Sequence, residues 1–223
     1  ITGGGCMVPQ SQNVKGETDD VTEPITQRNY YLYLPRDYDP SKKYPLIVSI
    51  HGMKPFDNAF PQLMTWRKIC DERGWIAIAP QLRSPDMFNQ FPMVRIDDAL
   101  ISDEAQIVAS IHDVIRKYNA DSRYVMVTGW SSGGFIIHYV AARHPELFSV
   151  VAPQGANFHE KIMPKQVSEA ARQTPIYIYH GEFDVGVVVE QSNRAIQWYY
   201  RHGYKFVRMD TAPGGHERHP ELA

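Results

Sequence analysis

The chain has 223 residues, of which 43% are hydrophobic and 22% are charged, a length and composition typical of a single globular domain with a sizeable core. Its formal net charge is −2 and it contains no basic run, so neither nucleic acid nor an anionic membrane is expected as a partner. No apolar stretch approaches the roughly 20 residues that a membrane-spanning helix needs.

The N-terminal segment is predicted to be a flexible tail over residues 1–23, followed by a single domain over residues 24–223. Its start, Ile1-Thr-Gly-Gly-Gly-Cys6, is partly similar to the end of a bacterial lipoprotein signal, although Gly3 stands where a bulky residue is usual. We therefore expect an exported protein, either with a lipid anchor on Cys6 or with a plain flexible tail. Cys6 and Cys70 are the two cysteines, and they leave open one disulfide or two free thiols.

Short apolar runs predict the strands. Leu46-Ile-Val-Ser-Ile50 is almost uniformly apolar, as in a parallel strand that is buried on both faces. The run at 29–34 precedes Pro35 and a turn-rich segment, which predicts an early antiparallel strand at the edge of the sheet. The predicted strands are 29–34, 45–50, 75–79, 124–128, 148–152, 176–180 and 206–210.

Longer amphipathic segments between these runs predict helices at 58–73, 97–118, 133–143 and 189–201. Pro61 must then lie in the first turn of its helix, and Gly203 follows the last helix as a stop. The alternation predicts the α/β class, with a mostly parallel central sheet flanked by helices. Residues 153–174 leave room for one short helix but not for a large lid domain, so an open site is expected.

The segment with the most chemical information is Gly129-x-Ser131-x-Gly133, which follows the predicted strand 124–128 and precedes a predicted helix. A strand, a very tight turn and a helix form a nucleophile elbow, which holds a serine in a strained conformation with its Oγ exposed. The flanking glycines are needed because a Cβ does not fit there. Ser131 is therefore the predicted nucleophile.

A serine nucleophile needs a base to take its proton and an acid to orient that base. Asp184 follows the strand at 176–180, and His216 follows the strand at 206–210 and two glycines. This gives the order Ser, Asp, His, with each side chain beyond the carboxyl end of a strand. The alternatives are that Asp184 caps a helix, that Glu182 replaces it, or that His219 replaces His216.

The oxyanion of a tetrahedral intermediate requires N–H donors. The backbone N–H of Ser132, directly after the nucleophile, is the first predicted donor. The second is the N–H of Met53, in the loop His51-Gly52-Met53 after a predicted strand. His51 is predicted to position this loop through hydrogen bonds, unless it is a satisfied core group.

Three aromatic residues, Trp130, Phe88 and Phe158, are predicted to line the substrate pocket, with burial in the core as the alternative. The spacing of His216 and His219 does not match a helical HExxH zinc site. We expect no metal and no other cofactor.

These motifs resemble the α/β-hydrolase superfamily over nearly the whole chain from about residue 24. Within the superfamily, residues 28–35 and Asp121-Ser-Arg123 are similar to the feruloyl esterase and polyhydroxybutyrate depolymerase group, whose members are often exported bacterial carboxylic-ester hydrolases. The motifs that carry the resemblance are His51-Gly52-Met53, Gly129-Trp-Ser-Ser-Gly-Gly134, His180-Gly-Glu-Phe-Asp184 and Gly214-Gly-His216.

The resemblance implies a serine esterase that acts on a small-molecule or polymer-linked ester. Met53 and the scarcity of cysteines depart from the depolymerases, so the substrate stays open. The elbow is also similar to that of prolyl oligopeptidase-like enzymes, which makes a peptidase the first alternative. A catalytically silent hydrolase fold that serves as a binding module is the second.

Overall fold

The computed structural model describes residues 15–86 and 96–220. Its strands are β1 (Thr18–Thr22), β2 (Asn29–Tyr33), β3 (Tyr44–Ile50), β4 (Ile76–Pro80), β5 (Ala120–Trp130), β6 (Val150–Gln154), β7 (Ile176–Gly181) and β8 (Val207–Ala212). Its α-helices are α1 (Ala59–Met64), α2 (Arg67–Arg73), α3 (Asp98–Tyr118), α4 (Ser132–Arg143), α5 (Glu169–Gln173) and α6 (Gly186–Arg201).

All eight strands belong to one sheet in the order β1-β2-β4-β3-β5-β6-β7-β8. Strands β3 to β8 pair in parallel, whereas β2 is antiparallel to both of its neighbours. Successive residues of β3 enter two different cores: Val48 packs in the cluster on one face, and Ile47 packs in the cluster on the other. Burial on both faces explains the apolar run, and the predicted α/β class is confirmed.

The seven predicted strands are confirmed with shifted ends, but two predictions about the N-terminal region are wrong. Thr18–Thr22 forms β1 and pairs with β2, so ordered structure begins before residue 24. β2 is antiparallel as predicted, yet it lies between β1 and β4 rather than at the edge. The backbone groups along its outer side are satisfied by β1 instead of by water.

The predicted helix at 97–118 is confirmed as α3, whose N-cap Asp97 accepts a hydrogen bond from the Leu100 amide at 2.9 Å. The helix predicted at 58–73 is interrupted: α1 ends at Met64, and the buried Trp66 indole donates to Ser49 Oγ at 2.9 Å. Residues 155–175 carry a short 3₁₀ turn and α5, without a lid domain. Among the described residues, no helix has the length and apolarity that a membrane span requires.

A buried ion pair anchors the segment that follows β4. Arg28 Nη2 lies 2.6 Å from Asp103 Oδ1, and the carboxylate of Asp103 also accepts the backbone amides of Arg83 and Ser84. The same segment bonds the loop after β3, because the Leu82 carbonyl accepts Lys54 Nζ at 2.6 Å. Asp103 therefore holds the segment 82–84, and this segment in turn bonds Lys54 in the loop predicted to hold an oxyanion donor.

Replacing Asp103 by asparagine should leave the Arg28 charge buried without a counter-charge. We expect Asp103→Asn to lower the free energy of unfolding by about 3–5 kcal/mol in urea denaturation. The matched control is Glu72→Gln, which breaks the exposed pair of Glu72 with Lys68 and should cost less than about 1 kcal/mol. Equal losses of unfolding free energy in Asp103→Asn and Glu72→Gln would contradict the assignment of Arg28 and Asp103 as a buried, stabilising ion pair.

Candidate active site

Ser131 lies in the turn between β5 and α4, with φ 56° and ψ −120°. A non-glycine residue in such a conformation costs on the order of 1–3 kcal/mol and persists only where its surroundings hold it. Here the Ser131 amide donates to the Gln154 carbonyl of β6 at 2.9 Å, and the Ser131 carbonyl accepts the Gly134 amide at 2.9 Å. The strained turn predicted from the sequence is thus present.

Gly133 brings the first turn of α4 against the end of β3. A Cβ on Gly133 would lie 2.5 Å from the carbonyl oxygens of both Ile50 and His51, which is closer than any side chain could approach. The glycine in the motif is therefore explained by the contact between helix and strand. The contact also sets the start of α4 beside the loop that begins at His51.

Asp184 and His216 are in direct contact. His216 Nδ1 lies 2.8 Å from Asp184 Oδ1, which also accepts the Val185 amide at 2.7 Å. The Asp184 side chain is fully buried, whereas His216 is partly exposed. Asp184 does not cap α6, whose N-cap is Val185 without a side-chain bond, and Glu182 is exposed to solvent. The parallel pairing of β7 with β8 brings the two loops together.

The loop after β3 is held by two buried side chains. Asp57 Oδ2 accepts the Gly52 amide at 2.7 Å. His51 Nε2 accepts the Leu82 amide at 3.1 Å, so its Nδ1–H donates to the Gly52 carbonyl at 2.8 Å. Burial lowers the pKa of His51, which keeps the ring neutral for this pattern of bonds. The predicted positioning by His51 is confirmed.

The N–H groups of Met53 and Ser132, the predicted oxyanion donors, have no acceptor within the part of the chain that the structure describes. Ser132 is the first residue of α4, where a backbone N–H has no partner inside the helix. As far as the described residues go, both N–H groups could donate to a substrate oxygen.

The three aromatic residues predicted to contact substrate differ in position. Trp130 lies at the site, since its ring centroid is 4.8 Å from that of His216. The prediction for Phe158 is wrong: its side chain is 2% exposed and packs against His138 and Trp198 in the core. Phe88 lies outside the described residues, as does Cys6, while Cys70 is a buried free thiol.

Gly155, after β6, is a site residue that the sequence motifs do not reveal. It has a φ of +47°, and a Cβ there would lie 3.1 Å from Asp184 Oδ2 and 3.2 Å from His216 Nδ1. No neighbouring sequence feature distinguishes this glycine from an ordinary turn glycine. Asp57 and Arg218, whose contacts are described below, are also absent from the sequence prediction.

Among the described residues, no group of three or more His, Cys, Asp and Glu side chains could hold a metal ion. The described residues do include a serine in a strained turn, a carboxylate–imidazole pair and two backbone N–H groups that have no acceptor among the described residues. These are the parts that acyl transfer through a serine requires.

Comparison with known proteins identifies the family. The sequence model of the dienelactone hydrolase family matches residues 30–206, well over half of the chain. The chain belongs to the dienelactone hydrolase family.

Two relatives that are similar to this chain in sequence are named as esterases. The bifunctional acetylxylan esterase/xylanase XynS20E of Neocallimastix patriciarum is 26% identical over 184 residues, covering 82% of this chain and 25% of the relative. Feruloyl esterase B of Neurospora crassa is 30% identical over 137 residues, covering 60% of this chain and 46% of the relative. The chain thus spans between a quarter and a half of these two curated relatives.

Solved structures agree on the fold. The acetyl xylan esterase from Aspergillus awamori superposes with a TM-score of 0.65 at 19% identity, over 90% of this chain and 94% of the other. At this identity the likeness establishes the α/β-hydrolase fold alone, as the motifs predict.

Gly155 offers a test of how tightly the Asp184–His216 pair is packed. Alanine at position 155 forces a strained φ and pushes a methyl group against both partners, so we expect kcat for an ester to fall by about 10–100-fold. The control is Gly186→Ala, where a Cβ meets nothing within 4 Å; its kcat should equal that of the wild type. Full activity of Gly155→Ala, measured by steady-state kinetics, would contradict the packing described.

Proposed function

We propose that this protein is a serine hydrolase that cleaves carboxylic esters through an acyl-enzyme on Ser131. The observation that carries the proposal is the 2.8 Å contact of His216 with buried Asp184, beside the elbow that holds Ser131 in its strained conformation. The names of the two relatives, an acetylxylan esterase/xylanase and a feruloyl esterase, support it.

The proposed mechanism uses each group at a stated atom. Ser131 Oγ attacks the ester carbonyl while His216 Nε2 takes its proton, and the same proton then leaves with the alcohol. Asp184 holds the proton on His216 Nδ1 and stabilises the imidazolium. The N–H groups of Met53 and Ser132 stabilise the oxyanion. A water molecule, deprotonated by His216, then releases the acid and frees Ser131.

For the substrate we propose an acetyl or feruloyl ester, either small or attached to a polymer. The names of the relatives favour these acyl groups. Two exposed aromatic side chains support an apolar acyl or alcohol group: Phe56 is 76% exposed beside Asp57, and Phe183 is 82% exposed beside Asp184. Specificity is expected from the segments at 54–60, 84–93 and 154–163, of which 87–93 lie outside the described residues.

The proposal is tested by the turnover of nitrophenyl acetate. We expect Ser131→Ala to lower kcat by at least about 10³-fold, because the nucleophile is lost. The control is Ser122→Ala, an exposed serine on β5, which should leave kcat unchanged. Turnover by Ser131→Ala at the wild-type rate would refute the role of Ser131.

A panel of substrates separates the alternatives. Wild-type protein is expected to hydrolyse feruloyl esters or acetylated sugars faster than aminoacyl nitroanilides. The reverse preference would favour a peptidase of the oligopeptidase type. Absence of turnover on every substrate would favour a silent hydrolase fold.

A further inference from the structure

We propose that Arg218 is a positioning residue that locks the loop carrying His216 to the loop carrying Met53. The inference rests on the proposed function, in which these two loops supply the base and one oxyanion donor. Arg218 lies two residues after His216, and no motif in the sequence singles it out.

The guanidinium of Arg218 reaches across to the segment after β3. Its Nη1 lies 3.4 Å from Asp57 Oδ1 and 3.2 Å from Gln62 Oε1. Asp57 is almost fully buried and Arg218 is 31% exposed, so solvent screens this ion pair less than a pair on the open surface. A single arginine therefore connects the C-terminal loop to both the oxyanion loop and α1.

Asp57 transmits this contact to the predicted donor. Its Oδ2 accepts the Gly52 amide at 2.7 Å, and its own amide donates to the Met53 carbonyl at 3.0 Å. The carboxylate thus binds Arg218 with one oxygen and the backbone next to Met53 with the other. If Arg218 shifts, the Asp57 carboxylate is expected to shift with it. Because this carboxylate holds the Gly52 amide, the next peptide group, which carries the Met53 N–H, moves as well.

Trp130 gives the two loops a common surface. The Arg218 guanidinium carbon lies 5.5 Å from the Trp130 ring centroid, and the His216 ring packs on the same side chain at 4.8 Å. Trp130 also touches the oxyanion loop, since a Cβ on Gly52 would lie 2.7 Å from its Cε3. Trp130 also directly precedes Ser131 in the chain. The residue before the nucleophile therefore contacts both the base, His216, and the loop that carries the Met53 donor.

The planar fork of arginine suits this position better than an ammonium group. A guanidinium can stack on Trp130 while its N–H groups reach two acceptors, whereas lysine offers a single point charge. We therefore expect lysine to preserve only part of the function of Arg218.

The test compares kcat and KM for nitrophenyl acetate in four proteins, after wild type and Ser131→Ala have established the esterase activity. We expect Arg218→Ala to lower kcat by about 10–50-fold with KM changed less than about threefold, because the groups that act in the transition state are misplaced. Arg218→Lys should recover part of the lost kcat. The matched control is Arg208→Ala on β8. Arg208 also pairs with an aspartate, Asp210, and lies over an aromatic ring, that of Tyr177. The kcat of this variant should equal the wild-type value.

A double-mutant cycle separates positioning from a general loss of structure. If Arg218 acts through Asp57, then Arg218→Ala in an Asp57→Ala background should lower kcat much less than it does in the wild type. Equal effects in both backgrounds, or wild-type kcat in Arg218→Ala, would overturn the inference. If the alanine variant does not fold, Arg218→Lys decides: a lowered kcat with unchanged KM supports the inference, and a wild-type kcat overturns it. Failure of the proposed function would appear separately, as a wild type without Ser131-dependent turnover.

Discussion

The contact between the first turn of α4 and the end of β3 is the constraint from which the rest of the site follows. Gly133 places its Cα against the carbonyl groups of Ile50 and His51, and nothing larger than hydrogen fits between them. The helix can begin so close to the sheet only if the preceding residue, Ser132, and the serine before it make a very sharp turn. Ser131 therefore occupies a positive φ, and its strain is offset by hydrogen bonds to β6 and α4.

Buried side chains hold the loops around this contact, because irregular backbone cannot satisfy its own polar groups as a strand or helix does. His51 forms a hydrogen bond with the Gly52 carbonyl, and Asp57 accepts one from the Gly52 amide. Asp103 accepts backbone amides of the segment after β4. Each carboxylate also pairs with an arginine, Arg218 or Arg28. The loop after β3 and the segment after β4 are thus held by ion pairs as well as by packing, although they belong to no helix or strand.

The sequence predicts the parts of this protein that depend on local patterns. Apolar runs and helical spacing identify the central strands and α3, and the chain order of Ser131, Asp184 and His216 identifies the contact between the last two. The sequence does not reveal β1, because Thr18-Asp-Asp-Val-Thr22 has no apolar alternation. This segment is a strand only through its pairing with β2. Phe158 follows a strand at the site edge, as a substrate contact would. Its amide bonds Gln191 of α6, a contact that is remote in sequence, and its ring turns into the core.

Family membership and fold agree with the chemistry proposed for the site, but the claim on which everything else depends is that Ser131 becomes covalently acylated. Mass spectrometry after reaction with a fluorophosphonate measures this directly, since the reagent traps a serine activated by a neighbouring base. The account predicts one adduct per chain, on the peptide that contains Ser131, and none in His216→Ala. An adduct on a different residue, or none on a protein that hydrolyses nitrophenyl acetate, would contradict it.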